Sequence, residues 1–184
     1  MSLTRARLIA IVVVLAAVAV VVGLCTREGE PEPLNEGAGV EEIGPGVQTV
    51  LLAFADRAGS RVVEERREMA VPEDMARRGK RLMEELAAGP RGDDAVATIP
   101  VGTRVRAVFF DDTGGAFVDL SREFVDNHPG GSTGELFTIR SIVRTIALNF
   151  PDVERVTLLV DGEEIETIAG HIDASVPFPV SEYR

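Results

Sequence analysis

The 184-residue chain has no tryptophan, one tyrosine, one cysteine and two histidines. A single cysteine excludes an internal disulfide framework. Tyr183 as the sole tyrosine, with no tryptophan, argues against an aromatic platform for sugars. His128 and His171 have no second histidine or cysteine pair to complete a metal site. Ser121 and Ser141 lack a nucleophile-elbow context, and Gly114-Gly115 is followed by no Lys or Ser/Thr opening a helix, as a phosphate cradle requires. Asp111-Asp112 lacks the ligand spacing of a calcium loop and reads as a pair of turn formers.

Basic charge is also short. There are 19 Lys and Arg against 30 Asp and Glu, for a net charge of −11. Arg5, Arg7 and Arg27 precede residue 28 with no acidic residue among them, which leaves 16 cations against 30 anions, or −14, for the rest. Such a body repels phosphate backbones and anionic lipid, so nucleic acid is not an expected partner.

What the chain does have begins at residues 8–24, LIAIVVVLAAVAVVVGL, an uncharged apolar run at the short limit for a spanning helix. Arg5 and Arg7 before it and acidic residues after it place residues 1–7 in the cytoplasm and export the remainder. An uncleaved signal anchor is the first reading. A cleaved signal is weaker, because Val-Val-Gly-Leu-Cys lacks a small-x-small site. A lipoprotein signal is weaker too, because Leu24 precedes Cys25 where a small residue is wanted. All three readings put the body outside the cytoplasm; with the signal anchor, the expected location is the bacterial cell membrane, single-pass. Residues 25–45, with six glutamates and three prolines, form an acidic linker without apolar periodicity.

The folded body is expected over residues 46–180, with 181–184 as a tail. Residues 47–54 and 61–67 read as strands around the turn at Asp56-Arg57-Ala58-Gly59, and Glu64-Glu65-Arg66-Arg67 as an exposed, salt-bridged edge. Pro72, Glu73 and Asp74 open a helix whose stripe is Val71, Met75, Leu82 and Leu86, with Gly79 a liability of about 1 kcal/mol relative to Ala. Gly89-Pro90 ends it. A central hairpin, 105–110 and 116–120, flanks a turn at 111–115, and Pro100-Val101-Gly102 before it fits a type I turn.

Ser132 and Glu135 have the spacing of a capping box, and Leu136, Ile139, Val143, Ile146 and Phe150 form the buried stripe of a second helix that Pro151 closes. Arg140 and Arg144 lie beside that stripe. Asp161-Gly162 joins strands 156–160 and 163–168. The order ββα-ββα-ββ predicts an α+β fold: a two-layer sandwich of an antiparallel or mixed sheet and two helices.

No catalytic, cofactor or metal residue is assigned. His171 and Asp173 would share a face on a strand, and with Glu135 they carry the alternative reading, a small-ligand-binding or hydrolytic site.

Residues 98–103 (TIPVGT), 116–124 (AFVDLSREF), 134–136, 142–146, 160–162 and 169–178 (AGHIDASVPF) resemble, in this order, the GerMN domains of sporulation and spore-germination proteins, also found in LpqB-type lipoproteins. The resemblance spans roughly residues 47–179. It implies an extracytoplasmic, membrane-tethered, non-catalytic module that needs no cofactor and works through envelope protein partners. It also implies a fold similar to ring-building modules of secretion systems, with homo-oligomerisation as an option. This chain carries one such domain, where the family's namesake has two in tandem.

Overall fold

The computed structural model describes residues 46–183; the anchor over 8–24, the linker over 25–45 and Cys25 lie outside them. Among the described residues no helix is long and apolar enough to cross a membrane.

Strands β1 (Gly46–Asp56) and β2 (Val62–Val71) pair antiparallel from Gly46↔Val71 to Ala55↔Val62. Their turn is held by Asp56, whose Oδ1 accepts from the amides of Ser60 (2.7 Å) and Arg61 (3.1 Å). Helix α1 (Met75–Ala87) starts three residues after Pro72, with Asp74 as the cap: its carboxylate accepts from the Arg77 amide at 2.8 Å. Leu82, Met83 and Leu86 are buried, but Met75 is 42% exposed and leaves the expected stripe.

A two-residue strand β3 (Ala95–Val96) then pairs with the far end of β1. The turn that follows is one residue later than expected. The Thr103 amide donates to the Pro100 carbonyl at 3.2 Å, and Gly102 has φ +89°, so this is a type II turn with glycine at its third position.

Strands β4 (Val105–Phe110) and β5 (Gly115–Leu120) form the expected hairpin. Helices α2 (Glu123–Asp126) and α3 (Ser132–Asn149) carry the chain to β6 (Arg155–Val160), which pairs with β5 in parallel. A parallel partner needs a long crossover, and α3 supplies it. Asp161 (φ 53°) and Gly162 (φ 85°) make the tight turn into β7 (Glu163–Glu164). β7 ends four residues short of the expected strand. β8 (Phe178–Pro179) returns to β6, and a 3-10 turn follows at Val180–Glu182.

The fold is α+β, as expected, but its strands form two sheets, β2-β1-β3 and β4-β5-β6-β7 with β8 on β6. The division has a cause at β1. The edge of β1 away from β2 is covered by α3, not extended by another long strand. The Thr145 hydroxyl accepts from the Ala53 amide at 2.9 Å. The Asn149 side chain accepts from the Leu51 amide (3.2 Å) and donates to the Leu51 carbonyl (2.7 Å), much as a strand residue would. A covered edge offers no template for further pairing.

The helices also exchange partners. α3, which follows the second hairpin, lies on β1 of the first, and α1, which follows the first, lies on β4 of the second. Both bury their apolar faces in one core that includes Leu52, Phe54, Leu82, Val118, Phe124, Ile139, Ile142 and Leu158.

Gly79 is the reason α1 can approach β4. A Cβ there would lie 2.7 Å from Val108 Cγ1 and 3.1 Å from the Phe110 ring. Gly79→Ala gains about 1 kcal/mol of helix propensity but overpacks a buried contact at a cost of roughly 1–3 kcal/mol. The expected result in thermal denaturation is a lower Tm; a rise would contradict the close approach. Thr145→Val keeps the side-chain shape but leaves the buried Ala53 amide without an acceptor. The expected loss is about 1–3 kcal/mol in chemical denaturation.

Candidate functional site

Glu135 stands in the first turn of α3 and is fully buried. Glycines at 130 and 131, with φ of 81° and 83°, turn the chain into the helix, and Gly131 occupies the cap position without a side-chain bond. The expected capping box is therefore not formed. Glu135 does not reach back to Ser132, because its position on the helix, four residues before Ile139, points it inward with the apolar stripe. There it meets the loop after β7. Oε1 accepts from the amides of Ile168 and Ala169, each at 3.1 Å, and Oε2 from the amide of His171 at 3.0 Å. The His171 ring adds Nδ1 at 3.3 Å from Oε2.

Burial pushes the Glu135 carboxyl up. The amides of Ala169, Ile172, His171 and Ile168 outweigh that effect, so its pKa lies below the ordinary glutamate value. The carboxylate is held charged and nearly saturated with donors. The strand expected over 163–168 stops at Glu164; beyond it the Glu166 carbonyl accepts from the Ala174 amide (2.7 Å) and the amides of Ile168, Ala169 and His171 donate to Glu135, so the segment runs as a loop.

His128 sits on the other side of the same helix start. Its Nδ1 accepts from the Gly130 amide (3.0 Å), and Nε2 lies 3.1 Å from the Thr138 hydroxyl, which donates to the Thr98 carbonyl (2.7 Å). That chain of bonds selects the neutral ring with its proton on Nε2. Burial lowers the His128 pKa, partly opposed by the charge on Glu135.

Of the three residues in the alternative site reading, Glu135 and His171 meet and Asp173 is engaged elsewhere. Asp173 Oδ1 accepts from the amide (2.9 Å) and hydroxyl (2.6 Å) of Ser175, a local turn that lowers its pKa. Glu135, whose oxygens are occupied by backbone amides, has little capacity left to move a proton for a substrate. Among the described residues no three His, Cys, Asp or Glu side chains group as metal ligands would. Asp111 behaves as the turn former expected of it, accepting from the amides of Thr113 (2.8 Å) and Gly115 (2.7 Å), and Arg155 joins it at 3.0 Å.

β2 is an edge strand with Glu64 and Arg66 exposed and the run is salt-bridged, as expected, but Arg67 departs from that reading and enters a second, buried charge cluster. The Arg67 side chain is 2% exposed. Its guanidinium donates to Glu65 (2.7 Å), to Glu85 of α1 (2.9 Å) and to the Gly89 carbonyl (2.6 Å), and lies 5.6 Å from the Phe54 ring centre. Arg81 and Arg91 complete the surroundings of Glu85. The signal was present in the alternation: Arg67 shares its parity along β2 with the buried Met69 and Val71.

A family model described as sporulation and spore germination, Germane, matches residues 52–166. Among solved structures, a candidate lipoprotein from Clostridium perfringens is 25% identical, with a TM-score of 0.52, covering 74% of this chain and 90% of that one. The first GerMN domain of the sporulation protein GerM from Bacillus subtilis is 23% identical, with a TM-score of 0.58, covering 72% of this chain and 97% of that one. The tandem GerMN domains of the same protein are 21% identical with a TM-score of 0.58, and the match covers 72% of this chain but 46% of theirs, since they hold two domains. No curated protein matches the chain. The GerM likenesses are evidence of shared fold.

The buried Glu135 and the half-buried His128 beside the start of α3 make the protein acid-sensitive, with the same sign. His128 has a lowered folded pKa, so its contribution is complete above the ordinary histidine value near pH 6.5 and declines as pH falls through it. Glu135 also has a lowered folded pKa, so its contribution is present above the ordinary glutamate value, about 4.3, and is lost below it. A Tm profile against pH is expected to fall in two stages. Glu135→Gln puts an amide donor against backbone donors. It is expected to cost about 2–4 kcal/mol at pH 7, to shrink the lower stage and, by removing the charge that holds the His128 pKa up, to deepen the upper.

Proposed function

The chain belongs to the GerMN, or Germane, family of sporulation and spore germination, and on that premise we propose that it is a membrane-tethered, extracytoplasmic assembly module. It works by holding envelope proteins together and carries out no chemistry of its own. The apolar run at 8–24 is its single-pass anchor, the arginines before it face the cytoplasm, and the acidic linker sets the reach of the domain. The partners are proteins of the envelope, with further copies of this chain among the candidates.

The observation that carries this reading is how the domain uses its buried and half-buried ionisable groups. Glu135 binds backbone amides of another segment, Arg67 and Glu85 bind each other and a helix end, and His128 is locked in a hydrogen-bonded chain. Groups that an enzyme would keep poised for a substrate here join loops to helices. The family supports the same reading, as does the likeness to a candidate lipoprotein.

Crosslinking in intact cells, followed by capture of the full chain from solubilised membranes, tests it. One or a few defined envelope proteins are expected, and they should be lost when the chain lacks residues 1–24 and is no longer tethered. Recovery of none would overturn the reading. A C-terminal reporter active only in the cytoplasm should be silent.

A further inference from the structure

We propose that a pocket between the β1–β2 turn, α3 and the C-terminal 3-10 turn recognises a carboxylate side chain on a partner polypeptide. The inference rests on the contact-module reading above and names the partner's chemistry.

The pocket has a volume of about 300 Å³ and is lined by Arg61, Arg140, Arg144, Glu182 and Tyr183 together with Ser60 and Val62. At that size it is at the low end for small-molecule sites and admits one or two side chains. Its three arginines are in different states. Arg144 is committed: it pairs with Glu64, with Nε at 2.9 Å, and its Nη1 lies 3.4 Å from the Tyr183 carbonyl, so it forms a neutralised wall.

Arg61 has its nearest carboxylate, Asp56, at 3.9 Å, and Asp56 is already engaged with Ser60 and the Arg61 amide. Arg140 is half-buried and pairs with no anion among the described residues, whereas Arg104, Arg106, Arg122 and Arg155 all do. A guanidinium partly withdrawn from water favours a planar anion that takes two of its N–H groups at once. The Tyr183 ring, held edge-on to Phe178 with centres 6.0 Å apart, braces the wall beside Arg140.

The charges select the ligand. Arg144 and Glu64 cancel, Arg61 is offset by Asp56 at 3.9 Å and Arg140 shares the lining with Glu182, so the walls carry close to no net charge and the uncommitted N–H groups are those of Arg140. That suits a carboxylate and disfavours a phosphate dianion. The rest of the body is strongly acidic and repels a polyanion at long range. At physiological salt the screening length is about 8 Å, so the pocket acts only at contact. The partner segment is therefore one glutamate or aspartate within a neutral or basic stretch.

The test uses the full chain in an uncharged detergent and two labelled peptides, Lys-Gly-Ser-Gly-Glu-Gly-Ser-Gly-Lys and the same peptide with Gln for Glu, read by fluorescence anisotropy. The Glu peptide is expected to bind at least about tenfold tighter, the scale of one charge-assisted hydrogen bond. Arg140→Gln should abolish the difference without changing Tm, Arg61→Gln should reduce it, and Glu182→Gln should increase it. If Arg140→Gln fails to fold, Arg61→Gln decides the matter.

No difference between the peptides, or a difference that survives both arginine variants, would overturn the proposal. Displacement of the Glu peptide by inorganic phosphate at lower concentration than by acetate would overturn the carboxylate assignment. Defined partners in the membrane capture with no Glu–Gln difference would remove this pocket alone. A Glu–Gln difference with an empty capture would remove the contact-module reading and leave the pocket.

Discussion

A backbone amide buried without an acceptor costs more than most single contacts return, and this fold is arranged around meeting that requirement at places where no strand can. Helix α3 does it at both ends. Near its start Glu135 gathers the amides of the loop after β7; near its end Thr145 and Asn149 serve the free edge of β1. Between those points its apolar residues fill the core. One helix thus joins the first hairpin, the second sheet and the C-terminal loop. Its packing lets these three side chains act partly or wholly shielded from water, where each hydrogen bond counts for more.

The same logic explains why the two halves interlock. If each helix lay on the hairpin before it, the chain would divide into two thin units, each with a small core. Crossing over sets α1 against β4 and α3 along the edge of β1, and pools the apolar surface. Gly79 is the concession that crossing requires. A residue that weakens an isolated helix becomes the contact point at which α1 reaches the second sheet. Arg67 plays the matching part at the other end of α1, tying β2 to the Glu85 carboxylate and to the carbonyl of Gly89.

Most element positions were legible in the chain. Alternation placed β1, β4, β5 and β6, Asp-Gly marked the turn at 161–162, and helical spacing with flanking prolines marked α1 and α3. Two of the misreadings share one origin. Glu135 has capping-box spacing from Ser132, so local pattern assigned it to its own helix end, yet its place beside Ile139 and Ile142 on the stripe turned it inward. Residues 64–67 looked like a solvated charge run, yet strand parity carried Arg67 into the interior. In each case two local rules disagreed, and the rule describing side-chain direction prevailed over the rule describing side-chain type.

Periodicity, turn chemistry and charge balance are properties of neighbouring residues, so the sequence alone determined the helices, hairpins, acidic body and family resemblance. The two-sheet division, the parallel pairing of β5 with β6, the covering of β1 by α3 and the meeting of Glu135 with His171 were decided only by tertiary structure. Each joins residues more than thirty positions apart. No local preference encodes such a pairing. It follows from which buried amides and apolar faces remain unsatisfied once the local elements have formed.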